Sequence, residues 1–71
     1  MSDSIYRVTE VIGTSTESWE DATRHAVETA AKTLRDLRVG EVVRFDVTMK
    51  DGKVTNYRAR VNISFKYEGE A

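Results

Sequence analysis

Asp51-Gly52 stands between two runs that alternate apolar and polar residues, and this arrangement sets the architecture of the C-terminal half of the chain. Glycine accepts the positive φ that a two-residue turn requires, so the dipeptide predicts a hairpin of two antiparallel strands. On its near side, Glu41 to Lys50 places Val43, Phe45, Val47 and Met49 on one face and Arg44, Asp46 and Thr48 on the other. On its far side, Tyr57, Ala59, Val61, Ile63, Phe65 and Tyr67 point one way while Arg58, Arg60, Asn62, Ser64 and Lys66 point the other.

Two elements precede the hairpin. Ile5 to Ile12 is rich in β-branched and aromatic residues and is interrupted by Gly13, which predicts a first strand ending in a turn over Gly13 to Glu17. Ser18 followed three residues later by Asp21 has capping-box spacing, so a helix begins near Trp19. Trp19, Ala22, Ala26, Val27, Ala30, Leu34 and Leu37 recur at steps of three and four, extending that helix to Leu37 before Gly40 ends it. Glu20 and Asp21 at its start and Lys32 and Arg35 near its end suit the helix dipole. The expectation is an α+β fold, residues 1–71 forming a single domain in which a three-stranded antiparallel sheet partly wraps one helix.

Size makes this fold difficult to sustain alone. A strand from Val54 to Tyr67 extends roughly 45 Å, whereas a helix from Trp19 to Leu37 reaches about 28 Å and leaves apolar sheet uncovered. A domain of 71 residues buries only about 60% of its extended-chain surface and ordinarily needs a staple. With no cysteine, disulfides and thiolate metal sites are excluded, and the single His25 cannot build a zinc site unaided. Self-association is the staple that remains, through the sheet edges and the uncovered face.

A net charge of −1 gives no long-range attraction to nucleic acid or to an anionic membrane. No apolar run approaches the roughly 20 residues that span a bilayer, and the first residues lack the basic and apolar pattern of a signal peptide. The expected location is the cytoplasm.

In order and spacing, the pieces of this chain resemble the dodecins. These pieces are Tyr6-Arg7-Val8, Ile12-Gly13-Thr14-Ser15, Ser18-Trp19-Glu20-Asp21-Ala22, Thr33-Leu34-Arg35, Glu41-Val42-Val43, Asp51-Gly52-Lys53-Val54 and Ser64-Phe65-Lys66. The resemblance implies a β-α-β-β subunit of a hollow dodecamer, a homo-oligomer that binds or stores a small ligand, commonly a flavin such as FMN or riboflavin. Two positions depart from the flavin-binding pattern. Where the resemblance implies a tryptophan that stacks on the isoalloxazine ring the chain has Val39, and where it implies a glutamine that bonds the ring's polar edge it has Arg58. The implication is flavin binding that is weak or lost.

Asp36-Leu37-Arg38-Val39, Ser18-Trp19-Glu20 and Ile63-Ser64-Phe65-Lys66 are similar to a branch that also lacks the stacking tryptophan and includes a calcium dodecin. Calcium takes six to eight oxygens, and Glu17, Glu20 and Asp21 beside the hydroxyls of Thr14 to Ser18 form the densest oxygen cluster in the sequence. The same acidic residues serve a helix start with no ion bound. The alternatives are therefore a cation-binding dodecin and a structural shell without a ligand.

No catalytic residues are expected, because the chain has no cysteine nucleophile, no phosphate loop and no nucleophile-elbow or metalloprotease spacing. His25 is expected to be a surface or interface residue of the helix, and Trp19 a core or subunit-interface anchor. Arg44, Arg60 and Lys66, with Arg58, form a basic strip that suits an anion or intersubunit salt bridges. The aromatic residues alternate to the opposite side, which argues against single-stranded nucleic acid.

Overall fold

The computed structural model describes residues 5–66, which form β1 (Tyr6–Ser15), α1 (Trp19–Ala30), β2 (Leu37–Lys50) and β3 (Lys53–Lys66). The strands make one antiparallel sheet in the order β1-β3-β2, so the last strand is central and receives both others. Asp51 and Gly52 have φ of 53° and 75°, the pair of positive values that lets a two-residue turn follow strand twist. This bears out the hairpin expectation.

The alternation along β3 is also observed. Ala59, Val61 and Ile63 are buried beneath α1, while Arg58, Arg60, Asn62 and Ser64 face away from it. Tyr67, expected at the end of this face, lies outside the described residues. The helix contributes Ala22, Ala26 and Ala30 to the core, with Val11, Val27, Leu34, Leu37 and Val42 packed around it. A core with so many alanines lets the backbones of helix and sheet approach closely.

That approach explains Gly13, which lies inside β1 opposite Ala59 and does not end the strand. A Cβ there would overlap the Ala22 carbonyl oxygen and sit 2.8 Å from the Ala26 nitrogen. Glycine is required because the helix backbone occupies the place of its side chain, so β1 continues through it to Ser15.

The helix is shorter than its apolar period implies. It ends at Ala30, and Lys32, Thr33 and Leu34 close the turn with backbone bonds to Thr29 and Ala30. Asp36 then adopts φ 55°, and Leu37, expected as the last helical residue, begins β2 opposite Phe65. Pairing residues 37–40 with β3 satisfies their backbone groups, and Leu34 and Leu37 still reach the core from outside the helix. Lys32 and Arg35 consequently lie beyond the helix, whose last turn contains no basic residue.

β2 also departs from simple alternation. Val42 opposes Val61 and Arg44 opposes Arg60, so Val43 is an extra, bulged residue. Val42, not Val43, is therefore the residue packed against the core. A second irregularity at Arg38 lies between the Leu37–Phe65 and Val39–Ser64 pairs.

Candidate functional site

The helix-free face of the sheet holds the side chains with the most chemical potential. Cross-strand pairing arranges them in rows: Thr14, Arg58 and Asp46; then Ile12, Arg60 and Arg44; then Glu10, Asn62 and Glu41; then Val8, Ser64 and Val39. In the first row Arg58 donates to Asp46 twice, Nε to Oδ1 at 2.6 Å and Nη2 to Oδ2 at 2.9 Å. This fork-to-fork contact holds the Asp46 carboxyl below its ordinary value of 3.8, with the nearby charges of Arg58, Arg60 and Arg44 acting in the same direction against partial desolvation. Asp46 in turn raises the Arg58 guanidinium. In the second row Arg60 Nη1 donates to Glu10 Oε1 at 3.1 Å.

Val39 and Arg58, the two positions implied for flavin contact, share this face but are not brought together in one protomer. Val39 pairs with Ser64, six residues along β3 from Arg58 and about 20 Å away at 3.3 Å per residue. The Val39 side chain is exposed and its carbonyl accepts from Ser64 Oγ at 3.4 Å. Lys66 lies at the far end of the face, opposite Tyr6, distant from Arg44 and Arg60. The expected basic strip thus resolves into a central arginine group and a remote lysine.

At the start of α1 the acidic residues serve the turn. Ser18 caps the helix by accepting from the Asp21 nitrogen at 3.0 Å. Buried Ser15 donates its Oγ to Asp21 Oδ2 at 2.7 Å and accepts from the nitrogens of Glu17 and Ser18 at 2.8 and 3.3 Å. Asp21 also receives Arg24 Nη1 at 3.1 Å and lies 3.4 Å from His25 Nε2. Its oxygens are committed within the chain. Glu17, Glu20 and Asp21 do not assemble into a chelating set, and the described residues contain no group of three or more His, Asp or Glu side chains able to hold a metal ion. Among the described residues of one protomer, these carboxylates do not form the six-to-eight-oxygen shell that calcium takes.

Trp19 packs at the same end, half exposed, with its ring 5.1 Å from Tyr57 in an edge-on arrangement and 5.7 Å from Phe45. Its Nε1 donates to the Asp46 carbonyl at 3.0 Å, tying the first helical turn to the residue that pairs with Arg58. His25 Nδ1 donates to the Thr14 carbonyl at 2.9 Å beside a cleft of about 550 Å³ between β1 and α1, lined by Val11, Gly13, Ala26 and Thr29 among others. The ring therefore bridges the helix to the edge strand. Reading the sequence alone left the partner of Arg58 open and missed Glu10 as the partner of Arg60. The signal available for Asp46 was its place among the arginines on the polar face of β2, whereas Glu10 lies fifty residues from Arg60 and is identified only by the β1–β3 register.

This fold and its sequence have known relatives. A family model described as Dodecin matches residues 5–68. The calcium dodecin of Mycobacterium tuberculosis is 42% identical over 64 residues, covering 89% of each chain. Its structure, that of a calcium-chelating antigen with a calcium-binding site, superposes with a TM-score of 0.81 at 37% identity and covers 94% of this chain and 96% of that one. Dodecin from Streptomyces coelicolor superposes with a TM-score of 0.91 at 38% identity, over 99% of this chain and 100% of that one. The β-α-β-β order, the central last strand and the near-complete matches in sequence and structure agree, and the chain belongs to the dodecin family.

Proposed function

We propose that this chain is a non-enzymatic, small-ligand-binding subunit of a dodecameric shell, in which the flavin contacts are lost. The observation that carries this reading is the Arg58–Asp46 fork. A glutamine amide offers a flavin both a donor and an acceptor, whereas Arg58 only donates and has turned its Nε and Nη2 to Asp46. Val39 supplies no aromatic face to a ring, and an aromatic stack contributes about 0.5–1.5 kcal/mol beyond buried area.

A divalent cation is the second reading, supported by the similarity to the calcium dodecin. No chelating carboxylate group assembles among the described residues of one protomer, which favours a calcium site that draws ligands from more than one copy. Glu17 and Glu20 are the exposed carboxylates available beside the committed Asp21. A shell that serves only as structure would bind neither flavin nor calcium.

One titration separates these readings. Riboflavin and FMN fluorescence is followed as the assembled protein is added, in parallel with calcium-dependent thermal unfolding. The wild-type chain is expected to leave flavin fluorescence unquenched and to melt higher with calcium. The double substitution Val39→Trp with Arg58→Gln is expected to gain quenching. Micromolar quenching by the wild type overturns the loss of flavin contacts, and an unchanged melting temperature in calcium overturns the cation reading.

A further inference from the structure

The β2–β3 register brings two arginines face to face. β2 spends two residues where β3 spends one, between the Val42–Val61 and Arg44–Arg60 pairs. Arg44 continues the run of Asp46–Arg58 and Phe45–Ala59 pairs that leads from the hairpin, and it lies on the helix-free face directly opposite Arg60. Like charges so placed, with Cβ atoms roughly 5 Å apart, destabilise an antiparallel pair.

The neighbouring carboxylates relieve this opposition only in part. Both oxygens of Asp46 are taken by Arg58. Glu10 gives one oxygen to Arg60, and Glu41 lies in the next row, opposite Asn62. Among the described residues the Arg44 guanidinium makes no hydrogen bond or salt bridge and acts on Asp46 only as a charge at a distance. Each guanidinium carries five N–H donors, so Arg44 and Arg60 together leave most of theirs unspent.

We propose that Arg44 and Arg60, set opposite one another by the β2–β3 register, clamp a phosphate or phosphomonoester group on the helix-free face. A dianion neutralises both opposed charges, and its terminal oxygens are enough to receive two planar forks, whereas a carboxylate is filled by one. Arg58 is excluded from the clamp by its pairing with Asp46. The site depends on neither the flavin nor the cation reading, so a failed calcium titration leaves it standing.

The test is thermal unfolding of the full-length, assembled protein in inorganic phosphate, phenyl phosphate, acetate or chloride at matched ionic strength. The wild type, Arg44→Gln, Arg60→Gln and, as a control for lost charge, Lys53→Gln at the hairpin end are compared. Phosphate is expected to raise the melting temperature of the wild type and of Lys53→Gln above the chloride value. Arg44→Gln and Arg60→Gln are expected to lose that excess, with phosphate affinity by calorimetry weakened about tenfold or more. Without phosphate, Arg44→Gln should melt at or above the wild type, because the opposed charge is gone. Stabilisation by inorganic phosphate alone assigns the site to the free ion, and equal stabilisation by phenyl phosphate assigns it to a phosphomonoester group. Equal effects of phosphate and chloride, or an excess that survives in both arginine variants, overturn the proposal.

Discussion

A carboxylate held by two guanidinium nitrogens is an acid-sensitive joint, and the carboxyl of Asp46 is displaced from its ordinary value. Its displacement is downward, so the native state favours the ionised form more than the unfolded chain does. The stabilisation is complete above 3.8 and is lost as pH falls through the lower native value. Urea unfolding of the wild type and Asp46→Asn is therefore expected to differ most near neutral pH and to converge in acid, as pH falls below 3.8 and through the lowered native value. A difference that persists unchanged at that acidity would show that the fork does not carry the effect. The resemblance to the dodecins located Arg58, and the sequence placed Asp46 among the arginines. It could not show their pairing, because that depends on a β2–β3 register that shifts between Thr48 and Met49.

At the scale of elements, the helix and β1 are joined through a missing side chain. Gly13→Ala forces a methyl group into the Ala22 carbonyl and the Ala26 backbone, and neither can yield without moving α1. The expected cost is about 3 kcal/mol or more, read as a lowered denaturation midpoint with an unchanged slope. A loss below about 0.5 kcal/mol would mean that the strand and helix separate easily. The elements were legible where local chemistry decides them: the Asp51-Gly52 turn, the Ser18 cap and the alternation of β3. They were illegible where tertiary pairing decides. Leu34 and Leu37 continue a helical period that the backbone abandons at Ala30, since both remain in the core after the chain turns to pair with β3. Gly13 looked like punctuation because its reason lies on another element.

As a whole the protomer is long and thin, 56 × 20 × 15 Å, with a radius of gyration of 14.7 Å where a compact chain of this length has about 11 Å. Helix α1 spans about 18 Å of strands that extend about 46 Å. Phe45, Met49 and Val54 toward the hairpin end, and Val8, Ile12 and Val39 on the helix-free face, are left exposed. Light scattering at micromolar concentration is expected to give about 97 kDa, twelve chains of 8.1 kDa, and an 8.1 kDa species would refute the shell. This exposed apolar surface calls for a protein partner of similar shape.

The Val43 bulge also governs how this strand tolerates changes of length. Val42 and Arg44 already occupy successive rungs on β3, with Val43 standing outside the ladder. Deleting Val43 would leave Phe45, Asp46 and Val47 opposite the same partners and on the same faces. Deleting a residue from a regularly paired stretch of the strand would invert every side chain beyond it. Loss of one residue at this place thus keeps both surfaces of the sheet intact.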